Sequence, residues 1–345
     1  MARTVSIVGA GRVGISLGKR LHDRDWRIGA VVTRSKPTAR AAARRIGAGF
    51  PVEERGFSPA KSTELIRALA PGLALRSPRA ISTLSRGSEL QLRHKAAQKI
   101  RALAPEDSAF AQLLSSDLIL FATPDDVMPA AAQSLADALR DAAGPRALRG
   151  SVALHTSATL DRSALEPLAR LGAATGSLHP MQAFGGKVIP SLKGVIFGIE
   201  GDPAAQRMAQ RLAKSLGGIP VAIETADKPA YHAAAVMAGG SIYPILEAGL
   251  ELLMSIGFTR RRASQTLLPL LRQIFDNIER IGPRAAWTGP LSRGDYAVVA
   301  KHMKALRRYP PEFAKSYAAL AELAAQVLAN DPAAMRKPLA RALKI

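Results

Sequence analysis

Thr4-Val-Ser-Ile-Val-Gly-Ala-Gly-Arg-Val-Gly-Ile-Ser-Leu-Gly-Lys-Arg-Leu21 reads as a short apolar strand running straight into a glycine-punctuated helix. Gly9 can make the tight turn out of the strand, Gly11 lets the backbone approach a pyrophosphate, and Gly14 lets the new helix pack closely on the sheet. Ala10, Arg12 and Val13 complete the loop. Unpaired N–H groups and the positive end of the helix dipole would hold an anion there without side-chain charge. The same glycine spacing also occurs in strand-turn-helix units that bind nothing. Here Val5, Ile7 and Val8 precede it, Ile15, Leu17 and Leu21 follow at helical spacing, and a second apolar run ends at Val32. That context favours dinucleotide binding.

The tip of the second strand should face the cofactor ribose. An NAD site usually places an Asp or Glu there, whereas this chain has Thr33-Arg34-Ser35-Lys36. Hydroxyls and two cations suit a 2′-phosphate, so NADP(H) is expected. The plainer reading is that Arg34 and Lys36 are solvated loop charges.

At 345 residues and 48% hydrophobic composition, the chain has material for two domains with buried cores. It has no cysteine, which excludes disulfides, thiolate catalysis and Cys-ligated metals; no metal site is expected. Without a secretory leader or an apolar run of membrane-spanning length, a cytoplasmic location and no membrane partner are expected. The net charge of +21 is concentrated: residues 34–101 hold 15 Lys or Arg against 4 Asp or Glu. Most of this basic stretch lies in an insertion at about 47–115, where a third strand would normally follow within a few residues. Its charge could serve phosphate binding, a polyanion such as nucleic acid, or plain solvation; no aromatic-rich RNA-binding strand motif accompanies it.

Further along, Leu118-Ile-Leu-Phe121 reads as a buried parallel strand whose tip, Ala122-Thr123-Pro124, faces the cofactor crevice. Asp125 or Asp126 is expected to cap the helix beginning near Val127. The strand at 151–157 brings His155 and Thr156 to the same edge, where His155 is either a cofactor contact or a hydrogen-bonded structural group. A small-residue strand at 172–186 breaks into a loop with His179 and Gln182, and short strands at 194–199 and 219–223 flank a helix from Pro203 to Leu216. After Thr225 the texture changes to amphipathic helices, at about 242–256, 261–281, 296–306 and 311–328. Asp227 and Asp295 are plausible caps, and Lys228 and His232 share a helix face at i, i+4. The fold expected is α/β: a Rossmann-like, doubly wound, mostly parallel sheet over residues 1–224, then an all-α domain over 225–345.

Several motifs taken together resemble a family of uncharacterised candidate NADP oxidoreductases with a Rossmann-like domain and a helical domain of unknown function. They are the glycine loop, Ala122-Thr-Pro-Asp-Asp126, His155-Thr-Ser157, Ser177-Leu-His-Pro-Met-Gln182, Gly198-Ile-Glu-Gly201, Tyr231-His-Ala-Ala-Ala-Val236, Thr288-Gly-Pro290 and Arg293-Gly-Asp295. The family is similar to pyrroline-5-carboxylate reductase, ketopantoate reductase and the 3-hydroxyisobutyrate dehydrogenase group. The last group carries a catalytic lysine with an asparagine one turn later. Lys228 aligns with that lysine, His232 stands in place of the asparagine, and Gly239-Gly240 stand where relatives often have Ser-Asn.

The resemblance implies hydride transfer between NADPH and a small carbonyl or imine held between the domains. Lys228 or His232 would be the proton donor, with His179 beside them, and Gln182, Tyr231, Ser241 and Arg293 would contact substrate. The alternative is a catalytically weak NADP-binding sensor or scaffold whose basic insertion engages an anionic partner. Long apolar helices in the second domain lead to the expectation of a homodimer joined through them.

Overall fold

A computed structural model describes residues 3–47, 52–54, 109–186 and 188–344. The chain forms two compact units, Met1–Met237 and Ala238–Ile345. Residues 225–237, grouped by their helical texture with the second domain, thus belong to the first unit.

The first unit is built on one eight-stranded sheet in the order β3-β2-β1-β4-β5-β6-β7-β8. Its strands are β1 (Thr4–Val8), β2 (Arg27–Thr33), β3 (Val52–Glu54), β4 (Leu118–Phe121), β5 (Val152–His155), β6 (Ala174–Pro180), β7 (Ile196–Gly201) and β8 (Ile219–Ala222). Every pairing is parallel except β6 with β7. The strand order reverses between β1 and β4, which opens a crevice at their carboxyl ends. A third strand does exist where the sequence led us to expect a break: β3 pairs with the end of β2. Its Val-Glu-Glu composition lacks the apolar signal of a buried strand, and a three-residue edge strand needs none. The rest of the basic stretch, 55–108, lies outside the described residues.

Helices cover both faces. On one face α1 (Arg12–His22), α2 (Lys36–Ile46) and α6 (Pro203–Ser215) enclose a core with Ile7, Leu17, Leu21, Leu120, Phe197 and Leu212. On the other, α3 (Ala109–Leu114), α4 (Met128–Ala143) and α5 (Glu166–Ala169) cover Val8, Phe121, Met128 and Leu135. Strand β4 supplies both cores because its run Leu-Ile-Leu-Phe is apolar at every position. Each such fully buried side chain stabilises the fold by about 1.5–3 kcal/mol before entropy is counted. The last helix of this unit, α7 (Lys228–Ala235), runs into a π-helical turn, Val236–Gly240, at the unit boundary.

The second unit is helical: α8 (Ile242–Ser255), α9 (Arg260–Ile281), α10 (Pro283–Ala286), α11 (Tyr296–Leu306), α12 (Pro311–Leu328) and α13 (Pro332–Leu343). Beyond Leu328 no helix is expected from the sequence, yet Asp331 starts α13 by accepting the Ala334 N–H at 3.0 Å. The core of this unit is small: Val299, Ala321, Ala325, Leu339 and Ala342, from α11, α12 and α13. Among the described residues one helical stretch, Thr225–Ser255, is long and apolar enough to cross a membrane by length and composition. This corrects the sequence reading that no apolar run has membrane-spanning length: residues 229–246 carry no Asp, Glu, Lys or Arg. The stretch reaches that length by joining α7, the π turn and α8.

Candidate functional site

The glycine loop has the geometry its sequence requires. Gly9 has φ +91°, and a Cβ there would lie 2.7 Å from the Ala122 carbonyl carbon, so the β1–α1 turn presses on the tip of β4. A Cβ at Gly14 would run into the Gly9 carbonyl oxygen. Gly11, the N-cap of α1, has open space around it and no side-chain cap. The first-turn N–H groups of α1 therefore have neither an intrahelical acceptor nor a capping oxygen. An anion fits this opening. Nearby, Thr123 carries a buried Oγ1 with no hydrogen-bond partner. A buried hydroxyl left unsatisfied is a place for a ligand group to bond. Gly9, Gly11, Gly14 and Thr123 thus fit a dinucleotide.

At the tip of β2 the sequence reading needs correction. Thr33 Oγ1 donates to the Ser35 carbonyl at 2.8 Å. Ser35 caps α2, its Oγ accepting the Thr38 N–H at 3.4 Å. These hydroxyls shape the turn, since Ser and Thr readily bond nearby backbone. Arg34 is exposed and remains suited to a phosphate; the Lys36 side chain lies outside the described residues.

Three other expectations change. Asp125 does not cap α4, whose N-cap is Val127; its Oδ2 instead accepts from Ser157 Oγ at 2.7 Å and Thr159 Oγ1 at 2.8 Å, tying the turn after β4 to the turn after β5. Asp227 and Asp295 hold N-cap positions without side-chain cap bonds. His155 is fully buried. Its Nδ1 accepts the Ser157 N–H at 3.2 Å, so its Nε2–H donates to the Asp161 carbonyl at 3.0 Å. With both nitrogens spent its side chain cannot reach a cofactor, and desolvation lowers its pKa to about 4, keeping it neutral. Gln182 donates to the Ser191 carbonyl at 3.2 Å and accepts the Ala183 N–H at 2.9 Å, which leaves its second amide N–H uncommitted by these bonds. Thr156 joins the strand-tip network through its N–H, which donates to the Phe121 carbonyl at 3.0 Å.

The sheet register puts Val8, Phe121, His155, Ser177 and Glu200 in one row across five strands. Partners in register share a face, so Ser177 and Glu200 meet side by side at the level where β5 ends. Lys228, the first residue of α7, arrives on them. Its Nζ donates to Ser177 Oγ at 2.8 Å and stands 3.8 Å from Glu200 Oε2. Ser177 Oγ donates in turn to the same Oε2 at 3.3 Å. Lys228 is 3% exposed, Glu200 8% and Ser177 0%. The Lys228 pKa is lowered, because burial outweighs Glu200 and then Asp161 and Asp125, which raise it.

One step nearer the strand ends, His179 pairs in register with Gly198. The lack of a side chain there admits Tyr231: a Cβ at Gly198 would lie 2.9 Å from Tyr231 Cζ and Oη. His179 Nδ1 lies 3.3 Å from Tyr231 Oη, with the rings edge to face. His232, one residue on in α7, packs edge to face on His179 at 6.1 Å, and its buried Nδ1 has no partner. Burial, with His232 and Lys228 next, lowers the His179 pKa to about 4. Burial also raises that of Tyr231. A neutral imidazole facing a protonated phenol can accept the Tyr231 O–H hydrogen bond at Nδ1, which leaves its own proton on Nε2. The first unit therefore brings together Lys228, His232, His179 and Tyr231.

Ser241 and Arg293 belong to the second unit. Arg293 is exposed and stands 3.7 Å from Asp295. Ser177 and Glu200 received no role from the sequence alone. The available signal was Glu200 itself, an acid inside the apolar strand Ile196–Gly201, which requires a buried partner.

Residues 195–324 match a family model described as a domain of unknown function, DUF2520. The match spans Glu200, Lys228, Tyr231, His232 and Arg293. No curated protein matches the sequence. Among solved structures, a candidate NADP oxidoreductase from Bacteroides fragilis is 17% identical, with a TM-score of 0.63 over 93% of this chain and 96% of that one. A pyrroline-5-carboxylate reductase from Coxiella burnetii is 13% identical, with a TM-score of 0.51 over 99% and 97%. An imine reductase from Myxococcus stipitatus, solved with NADP+, is 14% identical, with a TM-score of 0.53 over 99% and 100%. The chain shares their Rossmann-like fold, and the family resemblance read from its motifs stands.

Proposed function

We propose that this protein is an NADP-dependent oxidoreductase acting on a small carbonyl or imine compound. The observation that carries the reading is that one sheet edge bears both an open glycine loop at a helix N-terminus and a buried lysine beside a neutral histidine–tyrosine pair. The fold shared with NADP-linked reductases adds support. The N-terminus of α1 would hold the pyrophosphate, Thr123 a ribose or nicotinamide group, and Arg34 a 2′-phosphate. When bound, the nicotinamide supplies or receives the hydride.

The chain's own residues then handle the proton. A carbonyl oxygen or imine nitrogen that gains a hydride on its carbon becomes basic and needs a donor. Lys228 is that donor, either directly or by holding the charge that favours the developing anion. His179, neutral and with Nε2–H free of the Tyr231 bond, orients the same atom. Tyr231 fixes the His179 tautomer. We also infer that the protein works as a homodimer through α8 and α9.

Titration with NADPH and NADH by nicotinamide fluorescence, then turnover against small keto acids, aldehydes and cyclic imines, tests the reading. Tighter NADPH than NADH binding and turnover on one class are expected. Failure to bind either nucleotide overturns it.

A further inference from the structure

We propose that Glu200 and Ser177 are positioning residues that hold Lys228 in place as a buried, charged ammonium; the role rests on Lys228 being the proton-bearing group of the proposed reaction. Three polar side chains meet in a space where all are at least nine-tenths buried. Alone there, an ammonium would shed its proton and a carboxylate would take one up. Together, each offsets part of the other's cost of burial. Glu200 Oε2 lies 3.8 Å from Lys228 Nζ, and Ser177 links them by accepting from the one and donating to the other. The second carboxylate oxygen is held by the Arg162 N–H at 3.4 Å. This bond fixes the carboxylate plane from a third segment of chain.

The charged and titratable groups facing Lys228 are Glu200 from β7, Asp161 from the segment before Arg162, Asp125 from the turn after β4, His155 from β5 and His179 from β6. Glu200 is the strongest of the acids on Lys228. Its distance also sets it apart: the Lys228–Glu200 contact lies within ion-pair range.

The test is a direct titration of Lys228. Protein labelled with carbon-13 at the lysine ε-carbons is followed by NMR across alkaline pH, and Lys228→Arg assigns the resonance by removing it. In Glu200→Gln the Lys228 midpoint is expected to fall by about one to three pH units, the range for loss of an opposite charge at this separation. Ser177→Ala should give a smaller fall. Glu200→Asp, which keeps the charge, should restore most of the midpoint and carries the comparison if Glu200→Gln does not fold. An unchanged midpoint in folded Glu200→Gln overturns the proposal.

The alkaline limb of kcat/KM separates this result from the wider reading. A limb that moves with the NMR midpoint supports both. A midpoint that moves while the limb stays fixed supports the positioning role and removes Lys228 from the proton step.

Discussion

Gly11 and Gly14 stand three residues apart in one loop, yet their surroundings predict opposite consequences for the same substitution. A methyl group at Gly14 meets the Gly9 carbonyl, so Gly14→Ala should cost about 1–3 kcal/mol of stability, read as a shifted urea midpoint. At Gly11 a methyl group meets nothing within the protein. Gly11→Ala should therefore stay within about 1 kcal/mol of the parent, the cost of a poorer N-cap, while NADPH affinity falls at least about tenfold because the methyl group occupies the approach to the helix N-terminus. Unchanged affinity in Gly11→Ala would place the nucleotide elsewhere. His155 makes a different prediction. Its ordinary value of 6.5 falls to about 4 in the folded chain, so between those values the unfolded state binds a proton that the folded state refuses. Stability is then complete above about pH 6.5 and declines as pH falls toward 4, by about 3 kcal/mol for this one group. His179 acts in the same direction over the same window. Asp161, lowered chiefly by its Ser163 hydrogen bond, adds a separate loss only below the ordinary carboxylate value of 3.8. Replacing His155 with Gln should flatten the decline between pH 6.5 and 4 in urea unfolding series. An unaltered slope would mean that His155 is not the group refusing the proton.

Helix α7 shows how an element is held by a few buried polar contacts. Its eight residues include one buried side chain, Lys228, and that side chain is pinned to Ser177 and Glu200. Removing the lysine leaves a carboxylate buried without its counter-charge, which typically costs 3–5 kcal/mol. Lys228→Met should thus lose about 3 kcal/mol in chemical unfolding, and the double variant Lys228→Met/Glu200→Gln should recover part of the loss because the orphaned charge is gone. If the double variant is no more stable than the single one, the pair does not act as a unit. The sequence made α7 and its Lys228/His232 face legible, because helical spacing and first-turn proline are local signals. The partners were not legible. Ser177 and Glu200 come from strands whose antiparallel register decides that they meet, and register is a product of tertiary pairing. The same limit explains the misread caps: Asp125 has the composition of a helix cap, and only the proximity of β5 gives it Ser157 and Thr159 as partners.

At the scale of the whole molecule, the division into a doubly wound α/β unit and a helical unit was legible because periodicity shifts from buried apolar runs to amphipathic stripes. What the stripes pack against was not. The core of the second unit draws on α11, α12 and α13, whereas α8 buries only Leu250 and α9 only Ala263. Along α9, Leu267, Leu271, Ile274, Ile278 and Ile281 recur at alternating spacings of four and three, the pattern of a helix that packs lengthwise on another helix. Leu270, Phe275 and Ile281 are more than half exposed, as is Tyr243 on α8. An apolar surface of this extent calls for a partner. A second copy offers the same seam in return, and a two-fold axis closes the contact after one pairing. Light scattering at micromolar concentration should therefore give twice the mass of the chain. Leu271→Arg/Ile278→Arg should give the monomer mass with an unchanged circular-dichroism spectrum, since neither position contributes to the core of its own unit. A monomeric parent would overturn the homodimer, and a monomeric parent that floats with phospholipid vesicles would assign the face to a membrane surface instead.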